Sequence, residues 1–282
     1  MIQSGQPRNG RRAMPQTASL PVVMCFSGLD STGGAGLQAD IEAIASMGGH
    51  AVPVATALTV QDTRQVLDFS PVDTALLIEQ ARAVLEDMPV SVFKIGMTGQ
   101  VATVEAIHSI LADYPDIPVV LDPVLAGGGG GALSDDPDAL GAALKELLFP
   151  LATVATPNSE EARRLAPEAD TLEACGQELL DTGCQFVLLT GTHEDSAHVE
   201  NRLFGNHRLL ETFTWERLPD SYHGSGCTLA AAVAGLLGQG LEVFTAVHEA
   251  QEYTWESLRH GYRLGMGQFL PNRLFWARGE EE

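Results

Sequence analysis

The sequence has few basic residues, and its four cysteines form no CxxC pair. Lysine and arginine number 16 against 37 aspartates and glutamates, so the net charge is −21 at neutral pH. A surface this acidic would repel nucleic acid, which proteins bind mainly through its phosphates. The wide spacing of the cysteines argues against a zinc cluster or a disulfide framework, and it predicts a reducing, cytoplasmic setting.

Long apolar runs and the common dinucleotide and phosphate motifs are also missing. No apolar run reaches the roughly 18 residues of a membrane-spanning helix, so we expect no membrane partner. The patterns GxGxxG and GxxxxGK[ST] do not occur, which disfavours a Rossmann oxidoreductase and a P-loop enzyme. Residues 1–20 lack the apolar core of a secretory signal. We expect them to form a disordered tail, followed by one domain over residues 21–282.

Short apolar runs alternate with helical patterns along the chain, and apolar residues make up 45% of it. The runs predict strands over residues 21–27, 51–58, 91–95, 117–122, 151–156 and 185–190. The helical patterns lie near residues 37–44, 77–85, 101–113, 138–148, 159–166, 171–182, 226–238 and 243–264. Two further runs, 199–204 and 208–213, predict a hairpin at the sheet edge. This alternation is typical of an α/β fold with three α/β/α layers and a central, mostly parallel sheet.

The most informative motif is residues 223–228, which read HGSGCT and precede an alanine-rich helical pattern. Small residues at a helix N-terminus leave backbone N–H groups available to an anion, and the helix dipole favours negative charge there. We therefore predict that Gly224, Ser225 and Gly226 surround a phosphate. The helix end should also lower the pKa of the Cys227 thiol below its ordinary value of about 8.5. A flexible helix start with a packed cysteine is the alternative.

Ligands of open parallel sheets bind beyond the carboxyl ends of the strands, and unusual residues follow several predicted strands. The glycine-rich segment 27–36 allows close contact with a ligand, although a tight turn before a helix also explains it. Gln61 offers the donor and acceptor that would recognise an aminopyrimidine, or it is an ordinary exposed glutamine. Lys94 lies in an apolar run, where lysine is rare unless paired. The alternative is a lysine that reaches solvent from the strand end.

Oxygen-bearing side chains follow the next two strands. Asp122 ends one strand, and Asn158 and Glu161 follow the other. Together they predict an acidic shell for a hydrated Mg²⁺ ion, which needs only one or two carboxylates. Asn158 and Glu161 also have the spacing of a helix-capping box. The two interpretations are compatible, because a capping residue can face the waters of a metal ion.

Taken in this order, the segments resemble those of the ribokinase-like superfamily, and more narrowly of the hydroxymethylpyrimidine/phosphomethylpyrimidine kinases of thiamine biosynthesis. The resemblance spans about residues 21–270 and is most specific in segments 31–40 (STGGAGLQAD), 94–97, 156–161 and 223–228. It implies ATP as phosphoryl donor, Mg²⁺, and a homodimer. It also implies two successive reactions, on the hydroxymethyl group of 4-amino-5-hydroxymethyl-2-methylpyrimidine and then on the resulting monophosphate.

The resemblance also implies a role for each matching residue. The residues expected at the pyrimidine are Gly28, Asp40, Gln61, Met97 and Val124. Those expected at the reacting hydroxyl and its anion hole are Cys227, Gly224, Ser225 and Gly226. Those expected at the nucleotide are Asn158, Glu161 and Thr190, with Asp122 and Glu161 at the metal.

Two departures from the family pattern remove positive charge from the expected ATP site. Thr190 stands where the family commonly has lysine, and five glycines over 127–131 replace a Lys-Ser-Gly stretch. K⁺, Mg²⁺ or another residue would have to compensate, and the glycines predict a mobile loop. Two alternatives stay open, namely a pyridoxal or pyridoxamine kinase of the same fold and a non-catalytic regulator that binds the pyrimidine.

Overall fold

A computed structural model describes residues 20–127, 131 and 133–277. Its strands are β1 Val22–Leu29, β2 His50–Gln61, β3 Val66–Pro71, β4 Val90–Ile95, β5 Val119–Leu121, β6 Val154–Ala155, β7 Phe186–Leu189, β8 His198–Gly205 and β9 Arg208–Glu216. Its α-helices are α1 Gly36–Ser46, α2 Thr74–Asp87, α3 Val101–Leu111, α4 Pro137–Ala143, α5 Ser159–Leu165, α6 Leu172–Asp181, α7 Ser225–Gly238 and α8 Val243–Arg259.

These strands form one sheet in the order β3-β2-β1-β4-β5-β6-β7-β8-β9. The six strands from β2 to β7 are parallel, whereas β3, β8 and β9 add antiparallel edges. The chain leaves β1 toward β2 and later returns to place β4 on the other side of β1. The carboxyl ends of β1 and β4 therefore border the crevice where such sheets bind ligands.

The core has two halves because successive strand residues point to opposite faces of the sheet. Val23 and Cys25 of β1 pack with α1, α7 and α8 on one face. Met24 and Phe26 pack with helices α2 to α6 on the other. All four side chains are fully buried, which explains why β1 reads as a continuous apolar run. The predicted three-layer α/β/α architecture is confirmed.

The predicted hairpin is confirmed as β8 and β9, which pair antiparallel. Asn206 and His207 form its turn with φ angles of 50° and 54°. A two-residue turn with both φ angles positive matches the twist of the strands it joins. The hairpin extends the sheet beyond β7, at the side where the predicted nucleotide residues lie.

The structure differs from the predicted elements in three places. Strand β3 was not predicted, because it is a half-exposed edge strand with no continuous apolar run. The helix predicted over 138–148 ends as α4 at Ala143 and continues as a wider π-helical turn over Leu144–Leu148. The last predicted helix ends at Arg259 rather than at residue 264.

Two predictions fall mainly on residues that the structure does not describe. The tail over 1–20 is described only at Leu20, and the glycine loop is described only at Gly127 and Gly131. The single domain over 21–282 likewise stays a prediction. Within the described part of the chain, no helix combines the length and the apolar character that crossing a membrane requires.

Candidate active site

A cavity of about 530 Å³ lies at the carboxyl ends of the parallel strands. Its size is that of a small-molecule site. Ten of the predicted site residues line it: Gly28, Gln61, Met97, Val124, Asn158, Thr190, Gly224, Ser225, Gly226 and Cys227. The structure therefore brings together seven separate chain segments, two at strand ends and five after strands or before a helix, as the parallel topology predicts.

The N-termini of α1 and α7 meet at this cavity without side-chain caps. Gly224 has a φ of 85°, and a Cβ atom there would overlap the carbonyl oxygen of Gly34. Gly36 has a φ of 58°, and a Cβ atom there would overlap the carbonyl oxygen of Gly28. Both turns thus require glycine for conformation and for close packing. Two positive helix ends consequently face one cavity, which suits an anion.

A buried aspartate joins the two turns. Asp30 accepts hydrogen bonds from the Thr32 and Ala35 amides, each at 2.8 Å. It also lies 2.7 Å from Nε2 of His223, the residue before Gly224. Burial opposes ionisation, but the bonds from His223 and Thr32 outweigh it and lower the pKa of Asp30 to about 2. The carboxylate is therefore ionised and holds the glycine-rich turn against the start of α7.

Lys94 lies beneath the cavity, fully buried and paired. Its Nζ is 2.7 Å from Oδ1 of Asp40 and 3.1 Å from Oγ of Ser27, and Ser27 donates to Asp40 at 2.6 Å. Burial lowers the pKa of Lys94, but the Asp40 carboxylate outweighs it and raises the pKa above its usual range. The lysine is therefore charged, and it does not reach solvent from the strand end.

The prediction that Asp40 contacts the substrate directly is wrong. The Asp40 side chain is 0% exposed and does not line the cavity. Asp40 lies on the inner face of α1, where Lys94 and Ser27 bind its carboxylate. Its position allows it to orient the wall of the site but not to touch a ligand.

The predicted pKa of Cys227 is also wrong. Its Sγ accepts the amide of Gly36 and lies near Lys94, which both lower the pKa, but burial is the larger effect and raises the pKa to about 12. The thiol also lowers the pKa of the neighbouring Asp122 carboxyl group. Desolvation of the thiol thus outweighs the effect of the helix end on its pKa, and Cys227 rests as a neutral thiol. The sequence alone does not reveal this desolvation.

Asp122 and Glu161 are both buried, and neither lines the cavity. Burial raises the pKa of each carboxyl group. Glu161 accepts the amides of Asn158 and Leu125, and Asn158 in turn caps α5, so the predicted capping box is present. Oδ2 of Asp122 has no hydrogen-bond partner among the described residues. A buried carboxylate oxygen without a donor fits a cation, which would satisfy it.

Within the described residues, no group of three or more histidine, cysteine, aspartate or glutamate side chains is arranged to hold a metal ion. Mg²⁺ keeps several waters and uses one or two carboxylates together with substrate phosphates. Asp122 and Glu161 are compatible with that mode.

The sequence model of a family described as phosphomethylpyrimidine kinase matches residues 30–272. These residues include both glycine turns and the cavity-lining residues that follow the later strands.

The chain belongs to this family.

Individual relatives agree with that assignment. The hydroxymethylpyrimidine/phosphomethylpyrimidine kinase of Mycobacterium tuberculosis is 38% identical over 93% of this chain and 96% of its own length. The thiamine biosynthesis bifunctional protein ThiED of Geobacter sulfurreducens is 35% identical over 90% of this chain, which spans 52% of that longer protein. Pyridoxal kinase of Bacillus subtilis, solved as an ADP complex, superposes with a TM-score of 0.83 at 27% identity, over 90% of this chain and 98% of that one.

The fold of this kinase is ribokinase-like. The end of the cavity where we expect the pyrimidine is formed by β2, β3 and the loops after β4 and β5. Met97, Val124 and Val66 supply apolar walls. Gln61 lines the same end, and its side-chain amide has no hydrogen-bond partner within the described residues. A free amide beside apolar walls can recognise a ring nitrogen and an adjacent amine together.

The other end of the kinase cavity lies between β7, the β8–β9 hairpin and α8. Thr190 donates its amide to the Pro157 carbonyl at 2.9 Å, which places it beside Asn158. Arg217 is the only arginine among the described lining residues, and no lysine lines the cavity there. Its guanidinium donates to the carbonyls of Thr192, Glu194 and Ser196. Arg217 therefore holds the loop after Thr190. Its guanidinium is occupied by these carbonyls and does not take the place of the lysine that the family commonly has at position 190.

A polar network at this end was not predicted. Buried Gln251 of α8 accepts hydrogen bonds from Asn201 Nδ2 at 2.9 Å and from Trp215 Nε1 at 3.1 Å. Asn201 accepts the amide of Gly191 at 3.1 Å. The network connects α8 to the loop after Thr190. Gln251 lies in an ordinary amphipathic helix, so nothing in the sequence distinguishes it.

We predict that Lys94→Met destabilises the kinase strongly, because it leaves Asp40 buried without a counter-charge. Removing one partner of a buried ion pair costs about 3–5 kcal/mol. Urea unfolding followed by circular dichroism measures the free energy of unfolding. The matched control is Arg82→Met, which breaks the exposed pair between Arg82 and Asp113 and should leave the midpoint nearly unchanged. Equal midpoints for both variants would contradict the account of Lys94.

Proposed function

We propose that this kinase transfers the γ-phosphoryl group of ATP to 4-amino-5-hydroxymethyl-2-methylpyrimidine and then to the resulting monophosphate. Family membership and the kinase names of its relatives support the reaction class and the substrate. The observation that carries the proposal is the single cavity running from Gln61 to Thr190, with the uncapped start of α7 between its ends. A pyrimidine and a nucleotide bound at the two ends would meet at residues 224–227.

The chain's own groups supply most of what phosphoryl transfer requires, which is alignment and neutralisation of spread negative charge. Gln61, Met97 and Val124 would orient the ring, while Gly28 lets it approach the β1 backbone. The amides at 224–227 would bind the oxygens of the transferring group. One preorganised donor of this kind lowers a barrier by about 2.7–4 kcal/mol.

Asn158 and Thr190 would contact the nucleotide, and Asp122 and Glu161 would hold Mg²⁺ through its waters. When bound, the ion would neutralise phosphate charge in a protein with a net charge of −21. The orphaned oxygen of Asp122 supports its role. K⁺ remains a proposed substitute for the lysine that Thr190 replaces. All four cysteines are free thiols, which supports the proposal that the kinase acts in a reducing, cytoplasmic setting.

We propose that the protein forms a homodimer through the sheet edge made by β2 and β3. Leu58 and Val60 of β2 and Leu67 of β3 are between 51% and 62% exposed. Thr59 and Gln61 alternate with the β2 pair and face the cavity. The same two strands thus present a polar face to the ligand and an apolar face to solvent, and a second copy of the chain would cover the apolar face.

The substrate is tested by steady-state assays with the hydroxymethylpyrimidine, its monophosphate and pyridoxal. We expect ATP-dependent turnover of both pyrimidines, with kcat/KM for the pyrimidine above that for pyridoxal. Gln61→Ala should lower kcat/KM for the pyrimidine about 10-fold or more, because one recognition pair is lost. The matched control, Gln177→Ala on the remote helix α6, should change nothing. A preference for pyridoxal would indicate the alternative kinase, and absence of turnover would indicate a regulator.

Cys227 is proposed as the base that takes the hydroxyl proton. Because the resting thiol is neutral, Cys227 would first release its own proton to solvent, and Lys94 and the Gly36 amide would stabilise the thiolate that then accepts the hydroxyl proton. General-base catalysis contributes about 10²–10⁴-fold, so Cys227→Ala should lower kcat by that factor. The matched control is Cys175→Ala, a buried cysteine on α6. Nearly full turnover of Cys227→Ala with unchanged substrate binding would make the cysteine a packing residue.

The dimer is tested by sedimentation velocity. Val60→Asp combined with Leu67→Asp should convert the dimer to a monomer, since two charges would be buried at the interface. The control is Phe244→Asp, another exposed apolar residue, which should leave the dimer intact. A wild-type monomer at micromolar concentration would contradict the proposal.

A further inference from the structure

The segment after α8 returns to the back of the active site and carries a buried arginine. Arg273 lies in the apolar stretch 269–275, and its side chain is 1% exposed. Its carbonyl oxygen accepts hydrogen bonds from Ser46 Oγ and from the Tyr253 hydroxyl, each at 2.8 Å. Helices α1 and α8 therefore fix the backbone of Arg273. The residue does not line the cavity, so it cannot contact a ligand there.

The guanidinium contacts both helix junctions of the active site. Nε donates to Oγ1 of Thr228 in the first turn of α7 at 2.9 Å. Nη1 donates to the Gly33 carbonyl at 3.4 Å and to Glu42 of α1 at 3.1 Å, and Nη2 donates to the Gly34 carbonyl. One planar cation thus holds the turn before α1 and the start of α7 at a set distance.

These contacts continue to the residues of the proposed anion hole. Oγ1 of Thr228 donates to the Gly224 carbonyl at 2.7 Å. The Gly34 carbonyl, which Arg273 binds, is the group against which Gly224 packs. Displacing that carbonyl would move Gly224 and the amides that follow it. The alignment of the α7 amides therefore depends on a side chain that lies outside the cavity.

We infer that Arg273 is a positioning residue for phosphoryl transfer, acting through Gly34, Thr228 and Gly224. This inference rests on the proposed function. Lysine cannot replace the arginine fully, because an ammonium is a compact point charge and does not have the planar fork that spans several acceptors. Misplacement of catalytic groups by about 1 Å costs about 10²-fold in rate. The expected loss is thus in kcat rather than in the binding of the pyrimidine at Gln61.

The kinetic test compares Arg273→Met, Arg273→Lys and Arg82→Met at a temperature where circular dichroism shows all three folded. Arg273→Met should lower kcat about 10²-fold and change the pyrimidine KM less than about 3-fold, with partial recovery in Arg273→Lys. Arg82→Met should match wild type. Adding Thr228→Val to Arg273→Met should cause little further loss, because both act on one contact. A kcat for Arg273→Met within about twofold of wild type would overturn the inference.

Hydrogen exchange measured by mass spectrometry provides a readout that needs no turnover. In Arg273→Met, peptides covering residues 33–36 and 224–228 should exchange faster than in wild type, while α3 should be unchanged. Uniform acceleration across the chain would show a general stability role and overturn the inference. If wild type itself shows no kinase activity, the proposed function fails, and the exchange pattern alone decides whether Arg273 positions the two turns.

Discussion

The close approach of two helix N-termini is the constraint on which the site depends. The starts of α1 and α7 pack so tightly that the Gly34 carbonyl fills the space where Gly224 would have a side chain. The positive ends of the two helices repel each other. The ionised carboxylate of Asp30 offsets that repulsion, because it binds the Ala35 amide before α1 and His223 before α7. This arrangement leaves several backbone donors at one point of the cavity, and it explains why both turns require glycine.

Electrostatics explain how so acidic a chain can have a site suited to the phosphates of a nucleotide. The net charge is −21, but the long-range field of exposed charges is screened within about 8–10 Å at physiological salt. The two helix ends border the cavity and Lys94 is buried beneath it, and screening by salt is weak at both places. Burial raises the pKa of Asp122 and Glu161, as does the negative charge of a neighbouring carboxylate, although Lys94 lowers that of Asp122. A bound cation would relieve the excess of negative charge.

Much of the fold follows from the sequence because strands buried on both faces read as continuous apolar runs. β1 and β4 illustrate this, whereas β3 is half exposed and gives no such signal. The residues lining the cavity were predictable because the carboxyl ends of parallel strands meet at one edge. Three features were not predictable because they depend on packing between distant segments. They are the direction of the Asp40 side chain, the desolvation of Cys227 and the contacts of Arg273. Arg273 did leave one signal, a charge within an apolar stretch.

The most direct test of the account is a crystal structure of the kinase with ADP, Mg²⁺, aluminium fluoride and the hydroxymethylpyrimidine. The fluoride group mimics the transferring phosphoryl group. We expect it within hydrogen-bond distance of the backbone amides at 224–227, with the ring amine at Gln61 and the nucleotide beside Thr190. A fluoride group bound away from the start of α7, with those amides facing only solvent, would contradict the central claim.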